Sequence, residues 1–303
     1  MLQTSTVSKL NERDLSTAMA AVQVERLTNN DAVEVLQFLA QRPIHTVAMM
    51  SLIHDNGVVS PFNRGTFYGY RDLNGQLEGV ALVGHATLME TISDRALAAL
   101  AQVARECPTT HLIMGERERV ADFWSHYSET GRRQRLACRE WLFELTWPVE
   151  AREPVIGLRP AQTSELELVM PVQAQLAFAE SGINPMQVDP QGFRERCLRR
   201  IEQGRTWVVV EDSELIFKAD VISKTAEVVY IEGVWLREDC RHQNLGTRFM
   251  SELLRRLLED TKSICLLVNE TNEWAQGFYR KCGFHFRATY ETIFLLRKEQ
   301  VQN

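Results

Sequence analysis

One segment restricts the possible fold of this chain more than any other. The β-rich run Glu227–Leu236 leads through a short polar turn into a helical stretch with apolar residues at every third or fourth position. These apolar residues are Leu245, Phe249, Met250, Leu253, Leu254, Leu257 and Leu258. Because such a stripe has to be buried, the pattern predicts a helix packed on a β-sheet. The preceding runs Thr206–Val210 and Leu215–Val221 extend that sheet as an antiparallel meander.

The rest of this half alternates between helical and strand periods. Ser164 and Glu167 have the spacing of a helix capping box, and Pro171 is expected to kink or restart that helix. Strands are predicted at Val155–Leu158, at Ile264–Val268 and over the alternating run Phe284–Phe294, and helices from Asp189 to Gly204 and over Asn272–Lys281. The resulting order is β-α-α-β-β-β-α-β-α-β.

The first half repeats this order without repeating the letters. Its predicted strands are Val22–Leu27, Thr66–Asp72, Leu77–Val83, Ala86–Glu90, His111–Met114 and Trp141–Trp147, and its helices are Asp31–Ala40, Val47–His54, Arg95–Cys107 and Val120–Ser128. Two prolines and several charges interrupt the pattern at Trp147–Pro154. We therefore expect an α/β (α+β) chain with a tandem fold, in which each domain is a mixed, mostly antiparallel sheet flanked by helices. The expected divisions are a flexible leader (1–20), a first domain (21–150) and a second domain (151–303).

Composition excludes several classes of protein. A length of 303 residues, at roughly 150 per domain, accommodates two domains. The net charge of −6 gives no general attraction for nucleic acid, and no apolar run is long enough to cross a membrane. Met1–Asp14 lacks the apolar stretch of a secretory signal. The six cysteines are dispersed, and neither they nor the seven histidines show metal-ligand spacing, so we expect a cytoplasmic protein without a metal.

The turn between Leu236 and Thr247 has the chemistry of a phosphate site. It leaves a strand and enters the striped helix, whose first N–H groups lack intrahelical partners and carry partial positive charge. Gly246 permits close approach of the backbone, and Arg241 adds a cation. The segment therefore predicts a site for a diphosphate held mainly by backbone amides.

With these residues the chain resembles the Gcn5-related N-acetyltransferase (GNAT) superfamily over residues 155–297. The loop of that superfamily reads Arg/Gln-x-x-Gly-x-Gly/Ala, and Arg241, Asn244 and Gly246 occupy its three defining places. Asparagine replaces the first glycine but tolerates positive φ better than most residues. The run from Asn272 to Phe284 resembles the superfamily's fourth-helix signature. The amino-acid sequence of the second half is most similar to those of a bacterial subgroup in which an uncharacterised N-terminal domain precedes the acetyltransferase domain.

The resemblance implies acetyl-CoA as co-substrate and Tyr279 as the group that protonates the departing thiolate. A phenol with a pKa near ~10 suits that role, because it keeps its proton at neutral pH. The alternative is that Tyr279 is only an aromatic packed between helix and sheet. The expected acetyl-CoA contacts are Val234, Trp235, Leu236, Arg241, His242, Gln243, Asn244, Leu245, Gly246, Thr247, Asn269, Asn272 and Phe278.

Glu232 is the candidate general base. It lies in an otherwise apolar strand, where a carboxylate is costly unless it is paired or has a chemical role. A raised pKa would allow it to take a proton from an ammonium, directly or through water. The alternative is an ion pair with Lys218 or an arginine on a neighbouring strand.

The resulting expectation is an N-acetyltransferase that moves an acetyl or other acyl group to a small-molecule or peptide amine by direct attack in a ternary complex. The alternatives are a catalytically silent acyl-CoA-binding regulatory module and a structural protein with neither property. The first half has Thr91–Asp94 in place of the loop, so it is expected to be a degenerate GNAT-like domain that shapes the acceptor site or a dimer contact. The alternative is a separate small-ligand sensor. The protein is expected to be a monomer or a homodimer.

Overall fold

A single mixed sheet of twelve strands organises the described part of the chain. The computed structural model describes residues 24–150, 155–241 and 244–296. The predicted leader, 1–20, lies outside this part, as do residues 151–154 of the predicted boundary. Helices flank the sheet, and the predicted fold class of a mixed, mostly antiparallel sheet with flanking helices is confirmed.

The first half follows the predicted order of elements. Its strands are β1 (Val24–Arg26), β2 (Gly65–Arg71), β3 (Leu77–Gly84), β4 (Ala86–Thr91), β5 (Leu112–Glu116) and β6 (Gln134–Thr146). Its helices are α1 (Ala32–Leu39), α2 (Pro43–Asn56), α3 (Asp94–Glu106) and α4 (Arg117–Tyr127). Ser93 caps α3 by accepting a hydrogen bond from the Ala96 amide, so the segment that replaces the phosphate loop here serves as a helix cap.

The second half carries the longer strands of the sheet and the striped helix. Its strands are β7 (Arg159–Pro160), β8 (Thr206–Glu211), β9 (Glu214–Lys224), β10 (Val228–Leu236), β11 (Ser263–Asn269) and β12 (His285–Leu295). Its helices are α5 (Leu166–Ser181), α6 (Pro185–Val188), α7 (Pro190–Glu202), α8 (Leu245–Leu257) and α9 (Glu273–Lys281). The stripe of α8 is buried, as its periodicity predicts.

The last strand of each half lies inside the sheet of the other. The strand order is β1-β2-β3-β4-β5-β12-β6-β11-β10-β9-β8-β7. Strand β12 pairs with β5 of the first half, and β6 pairs with β11 of the second, while β6 and β12 pair with each other. The two halves are therefore joined by backbone hydrogen bonds along three adjacent ladders, and the division at 147–154 remains a prediction about chain organisation.

The hydrophobic cores follow the same exchange. Phe143 and Leu145 of β6 pack in the core under α8, among residues of the second half. Ile293 and Leu295 of β12 pack in the core under α3, among residues of the first half. Each half thus depends on apolar side chains that the other half supplies.

Three local predictions were wrong. Val155–Leu158 is not a strand: Val155 and Leu158 are buried, but Gly157 has a φ of +94°, which breaks an extended run. Pro171 neither kinks off nor restarts a helix, because α5 runs through it as one element. The capping box before α5 is formed by Gln162 and Glu165 instead of Ser164 and Glu167.

Phe143 tests the dependence of the second half on the exchanged strand. Its side chain is fully buried, so Phe143→Ala should lower the free energy of unfolding by about 3–5 kcal/mol through lost burial and a cavity. Chemical denaturation measures this loss. Leu73→Ala is the control, because Leu73 is 85% exposed and its truncation should cost little. Equal effects of the two substitutions would contradict the exchanged core.

Candidate functional site

The site begins where β10 leaves its neighbour β11. The two strands pair in parallel only from Val228 to Tyr230. On the other side, the ladder with β9 is interrupted between Glu232 and Trp235, and Gly233 within this bulge has a φ of +60°. The outer half of β10 therefore presents backbone groups to a gap in the sheet instead of to β11.

A cavity of about 650 Å³ occupies this gap. It is bounded by β10 and β11, by α5, and by the ends of α8 and α9. Most of the candidate residues from the sequence line it. They are Glu232, Val234, Trp235, Leu236, Arg241, Gly246, Asn269, Asn272, Phe278 and Tyr279.

The other candidates lie beside the cavity or outside the described residues. Asn244 is the N-cap residue of α8, and Leu245 packs on the core beneath that helix. The Thr247 hydroxyl donates to the Asn244 carbonyl at 2.8 Å. His242 and Gln243 belong to the part of the chain that the structure does not describe.

Asn244 and Gly246 determine the shape of the backbone and of the space at the beginning of α8. Asn244 has a φ of +58°, so it takes the left-handed conformation that glycine would otherwise provide. A Cβ on Gly246 would lie 3.3 Å from the Phe278 ring and 3.4 Å from Leu236. Because Gly246 has no side chain, a narrow space stays open between Leu236 and Phe278, which we call the glycine passage.

Two asparagines shape the entry to α9. Asn272 caps this helix, and its side-chain oxygen accepts a hydrogen bond from the Ala275 amide at 3.0 Å. The side-chain oxygen of Asn269 accepts bonds from the amide and hydroxyl of Thr271. Both side-chain oxygens are engaged locally, which fixes the orientation of the two residues at the cavity wall.

Tyr279 lies on α9 with its ring edge-to-face against Phe278 and Phe284, at centroid distances of 5.2 and 5.7 Å. Burial raises the pKa of its phenol, with a smaller contribution from Cys282. The residue lines the cavity as well as packing between helix and sheet. Packing between helix and sheet and a place at the cavity are therefore compatible for Tyr279, whose phenol is protonated at neutral pH.

Glu232 accepts a hydrogen bond from the Tyr230 hydroxyl and lines the cavity. Burial raises the pKa of this carboxyl, although the bond from Tyr230 acts in the opposite direction. The nearby Lys218 is instead paired with Asp220 at 2.6 Å. Glu232 is thus a hydrogen-bonded carboxyl in a cavity, which is the environment that a general base needs.

Two further carboxyl groups line the same cavity. Glu140 comes from β6, and burial together with the charge of Glu232 raises its pKa to about 7, against a smaller lowering by the bond from Thr292. Glu180 comes from the end of α5, where the residue as a whole is exposed. Partial desolvation of its carboxyl at the cavity, followed by the charges of Glu232 and Glu140, raises its pKa to about 8. Glu140 could not be selected from the sequence, because its place at the cavity depends on the strand exchange.

A buried ion pair supports the bulge in β10 from below. Lys218 and Asp220 are almost completely buried, and the Lys218 ammonium also contacts the Gly233 carbonyl at 3.3 Å. Asp220 further accepts from Thr206 at 2.8 Å and from Arg200 at 3.1 Å. Burial alone would raise the pKa of Asp220, but Lys218 and Arg200 outweigh it and lower that pKa. The charged network therefore fixes the backbone next to Glu232.

The described residues contain no helix long and apolar enough to cross a membrane. They also contain no group of three or more acidic, histidine or cysteine side chains arranged to hold a metal ion.

The splayed sheet, the glycine passage and the N-terminus of α8 all lie in the part of the chain that a family model matches. Residues 176–284 match the model of the "Acetyltransferase (GNAT) family", and this part of the chain is a domain of that family. A search of curated proteins gave no match.

Three solved structures share the fold over most of the chain. An acetyltransferase of the GNAT family from Colwellia psychrerythraea has a TM-score of 0.55 and 13% identity, covering 90% of this chain and 99% of its own. A Drosophila protein has a TM-score of 0.67 and 10% identity, with 91% and 99% covered. A tandem GNAT protein from the clavulanic acid biosynthesis pathway has a TM-score of 0.54 and 13% identity, with 89% and 97% covered. At these identities the likeness concerns the fold alone, and it includes a tandem arrangement.

We call the part of the cavity lined by Glu140 and Glu180 the acidic wall. The pH dependence of stability tests the environment of Glu140 in this wall. The raised pKa of Glu140 means that the folded state favours the protonated carboxyl. The stability that this form contributes is fully present below pH 4.5, the ordinary pKa of a glutamate, and is lost as pH rises through about 7. Glu140→Gln keeps an acceptor for Thr292 and removes the charge. We expect a Tm above that of the parent at pH 8, by a few degrees, and little difference at pH 4.5.

Thermal melts at several pH values measure this difference. Glu259→Gln is the control, because Glu259 is exposed and loses the same charge away from the cavity. A gain that is equal for both variants, or independent of pH, would contradict the assignment of Glu140 to a poorly solvated wall.

Proposed function

We propose that the protein transfers an acetyl group from acetyl-CoA to a primary amine by direct attack in a ternary complex. The observation that carries the proposal is that one cavity joins the start of α8 to the three carboxyl groups, with Tyr279 on the wall. The match to the acetyltransferase family model over 176–284 supports it. The thioester supplies an activated acyl group, and the residues of the chain position the reactants and move protons.

The residues fit the carrier along its length. Amides at the N-terminus of α8, with Arg241, would hold the diphosphate, since anions are favoured there. The backbone of Val234–Leu236 faces the gap and offers hydrogen bonds to an extended chain of amides, in the way that a neighbouring strand would. Phe278 would cover the other side of that chain.

Two residues are placed for proton transfer. Glu232 would accept a proton from the ammonium of the acceptor, which has to be neutral before its nitrogen can attack. Tyr279 would donate its proton to the departing thiolate, since a phenol with a raised pKa remains protonated until that charge develops. A base and an acid at one cavity thus divide the two proton transfers.

The acidic wall favours an acceptor with positive charge. Glu140 and Glu180 have pKa values of about 7 and 8, so they tend to hold protons when no cation is near. A bound ammonium group would favour their charged form and would itself be stabilised. We therefore propose a cationic amine, with Glu140 and Glu180 orienting it and Glu232 deprotonating the nitrogen that reacts.

The glycine passage gives a test of acetyl-CoA binding. Gly246→Val should remove most of the thermal stabilisation by acetyl-CoA, because the new side chain would fill the space between Leu236 and Phe278. For a parent protein with ligand at 100 times its Kd, the stabilisation should be about 2.7 kcal/mol. Gly277→Val is the matched control: Gly277 is also helical, but its Cβ would meet nothing within 4 Å. Loss of binding in both variants, or in neither, would count against the passage.

The chemical step is tested by release of free thiol with a panel of amines, including diamines. Tyr279→Phe should lower kcat by about 10²–10⁴-fold while the Kd for acetyl-CoA changes little. Glu232→Gln should lower kcat at neutral pH and remove the acid limb of the pH profile. If the parent protein binds acetyl-CoA but no amine yields thiol above background, the silent binding module is the better description.

A further inference from the structure

A second cavity lies at the joint between the two halves, away from the cavity described above. Its volume is about 340 Å³. One wall is formed by the end of α2 and the turn Pro61–Asn63, and the other by α7 and β9. The two cavities share none of their lining residues. We call this second cavity the arginine cleft, after its lining residues Arg64, Arg196, Arg199, Arg200 and Arg205.

Positive charge exceeds negative charge in the arginine cleft. Arg205 is neutralised by Asp55 through two hydrogen bonds of 2.7 and 2.8 Å, and Arg196 contacts Asp189 at 3.0 Å. Arg200 contacts Asp220, but the same carboxylate also forms an ion pair with Lys218. Of the acidic residues, only Asp55 and Glu195 line the cleft.

Arg199 has neutral neighbours on the opposite wall. Its guanidinium donates to the Asn56 side-chain oxygen at 2.9 Å and stacks on the ring of Phe62 at 3.8 Å. Stacking orients the guanidinium plane but leaves its charge uncompensated. Residues of the first half therefore position Arg199 of the second half without neutralising its charge.

Arg64 is a second cation that lines the arginine cleft. Among the described residues, it has no carboxylate within salt-bridge distance. The residue is exposed, but partial desolvation of its guanidinium lowers its pKa, followed by the charge of Arg196, while Asp189 acts in the opposite direction. Its backbone takes the left-handed conformation, with a φ of +53°, which glycine or asparagine would adopt at lower cost. The chain thus keeps a charged side chain at a strained position, beside another cation.

We infer that the arginine cleft binds a small multivalent oxyanion, the chemistry that phosphate esters and polycarboxylates share. Guanidinium groups match such anions with paired N–H donors, and Arg64 and Arg199 approach from different walls. A bound anion would compensate both cations and join the two halves. It would therefore add to the contacts Arg199–Asn56 and Arg205–Asp55 that already cross this joint.

Calorimetric titration of the full chain with pyrophosphate, and separately with citrate, tests the inference at constant ionic strength. Pyrophosphate also suits the start of α8, so the parent, Arg241→Gln and Arg64→Gln/Arg199→Gln are compared. We expect the double variant to bind at least tenfold more weakly at one site, and Arg241→Gln to keep that site. The stronger of the two anions identifies whether the cleft favours phosphate or carboxylate chemistry.

Arg133→Gln/Arg255→Gln controls for the loss of two charges, since both residues are exposed and lie outside the cleft. Arg64→Gln alone, at an exposed position, should also weaken binding, which protects the test against misfolding of the double variant. The inference is overturned if the cleft variants bind both anions as the control does, or if neither anion binds the parent. The titration requires neither acetyl-CoA nor turnover, so its result is independent of the proposed transferase activity.

Discussion

The separation of β10 from β11 after Tyr230 is the constraint on which the rest of the site depends. A sheet that opens at this point exposes backbone groups that would otherwise be paired, and such groups are costly unless water or a ligand satisfies them. The bulge at Gly233 turns the strand away, and the buried ammonium of Lys218 holds the Gly233 carbonyl from below. The gap is thus maintained by a charged network inside the protein, which explains why two charges are tolerated there although ion pairs in an interior are costly to desolvate.

The strand exchange determines how the first half contributes to this gap. Because β6 lies between β11 and β12, Glu140 reaches the cavity next to Asn269, its ladder partner on β11. In the first half, Ser93 caps α3 where the second half has the loop, and β6 supplies part of the cavity wall. That the first half shapes the acceptor site remains a prediction; in the proposed function it would do so through strand β6 and not through a loop.

Local periodicity was sufficient to predict most elements, but it could not predict which strands are neighbours. The stripe of α8 and the alternation in β12 specify their own buried faces, so their bounds were close to the observed ones. The start of β6 was missed because Gln134–Glu140 is mostly polar and half exposed, a pattern that a strand shares with a loop. Glu140 was also missed, because it reaches the cavity only through the pairing of β6 with strands far along the chain. Val155–Leu158 shows the opposite error, in which buried apolar residues were taken for a strand.

The charges in the large cavity are arranged so that acceptor binding is linked to pH. Arg241 and the start of α8 form one end, while Glu140 and Glu180 are on the other wall and take up protons near pH 7 to 8. A cation that binds there has to displace those protons, so its affinity falls as pH drops below this range and levels off above it. The same rise in pH increases the fraction of the amine that is neutral and able to attack. In the proposed reaction, binding and chemistry are then both favoured on the alkaline side of neutrality, because Glu140 and Glu180 attract a cation most strongly when both are charged.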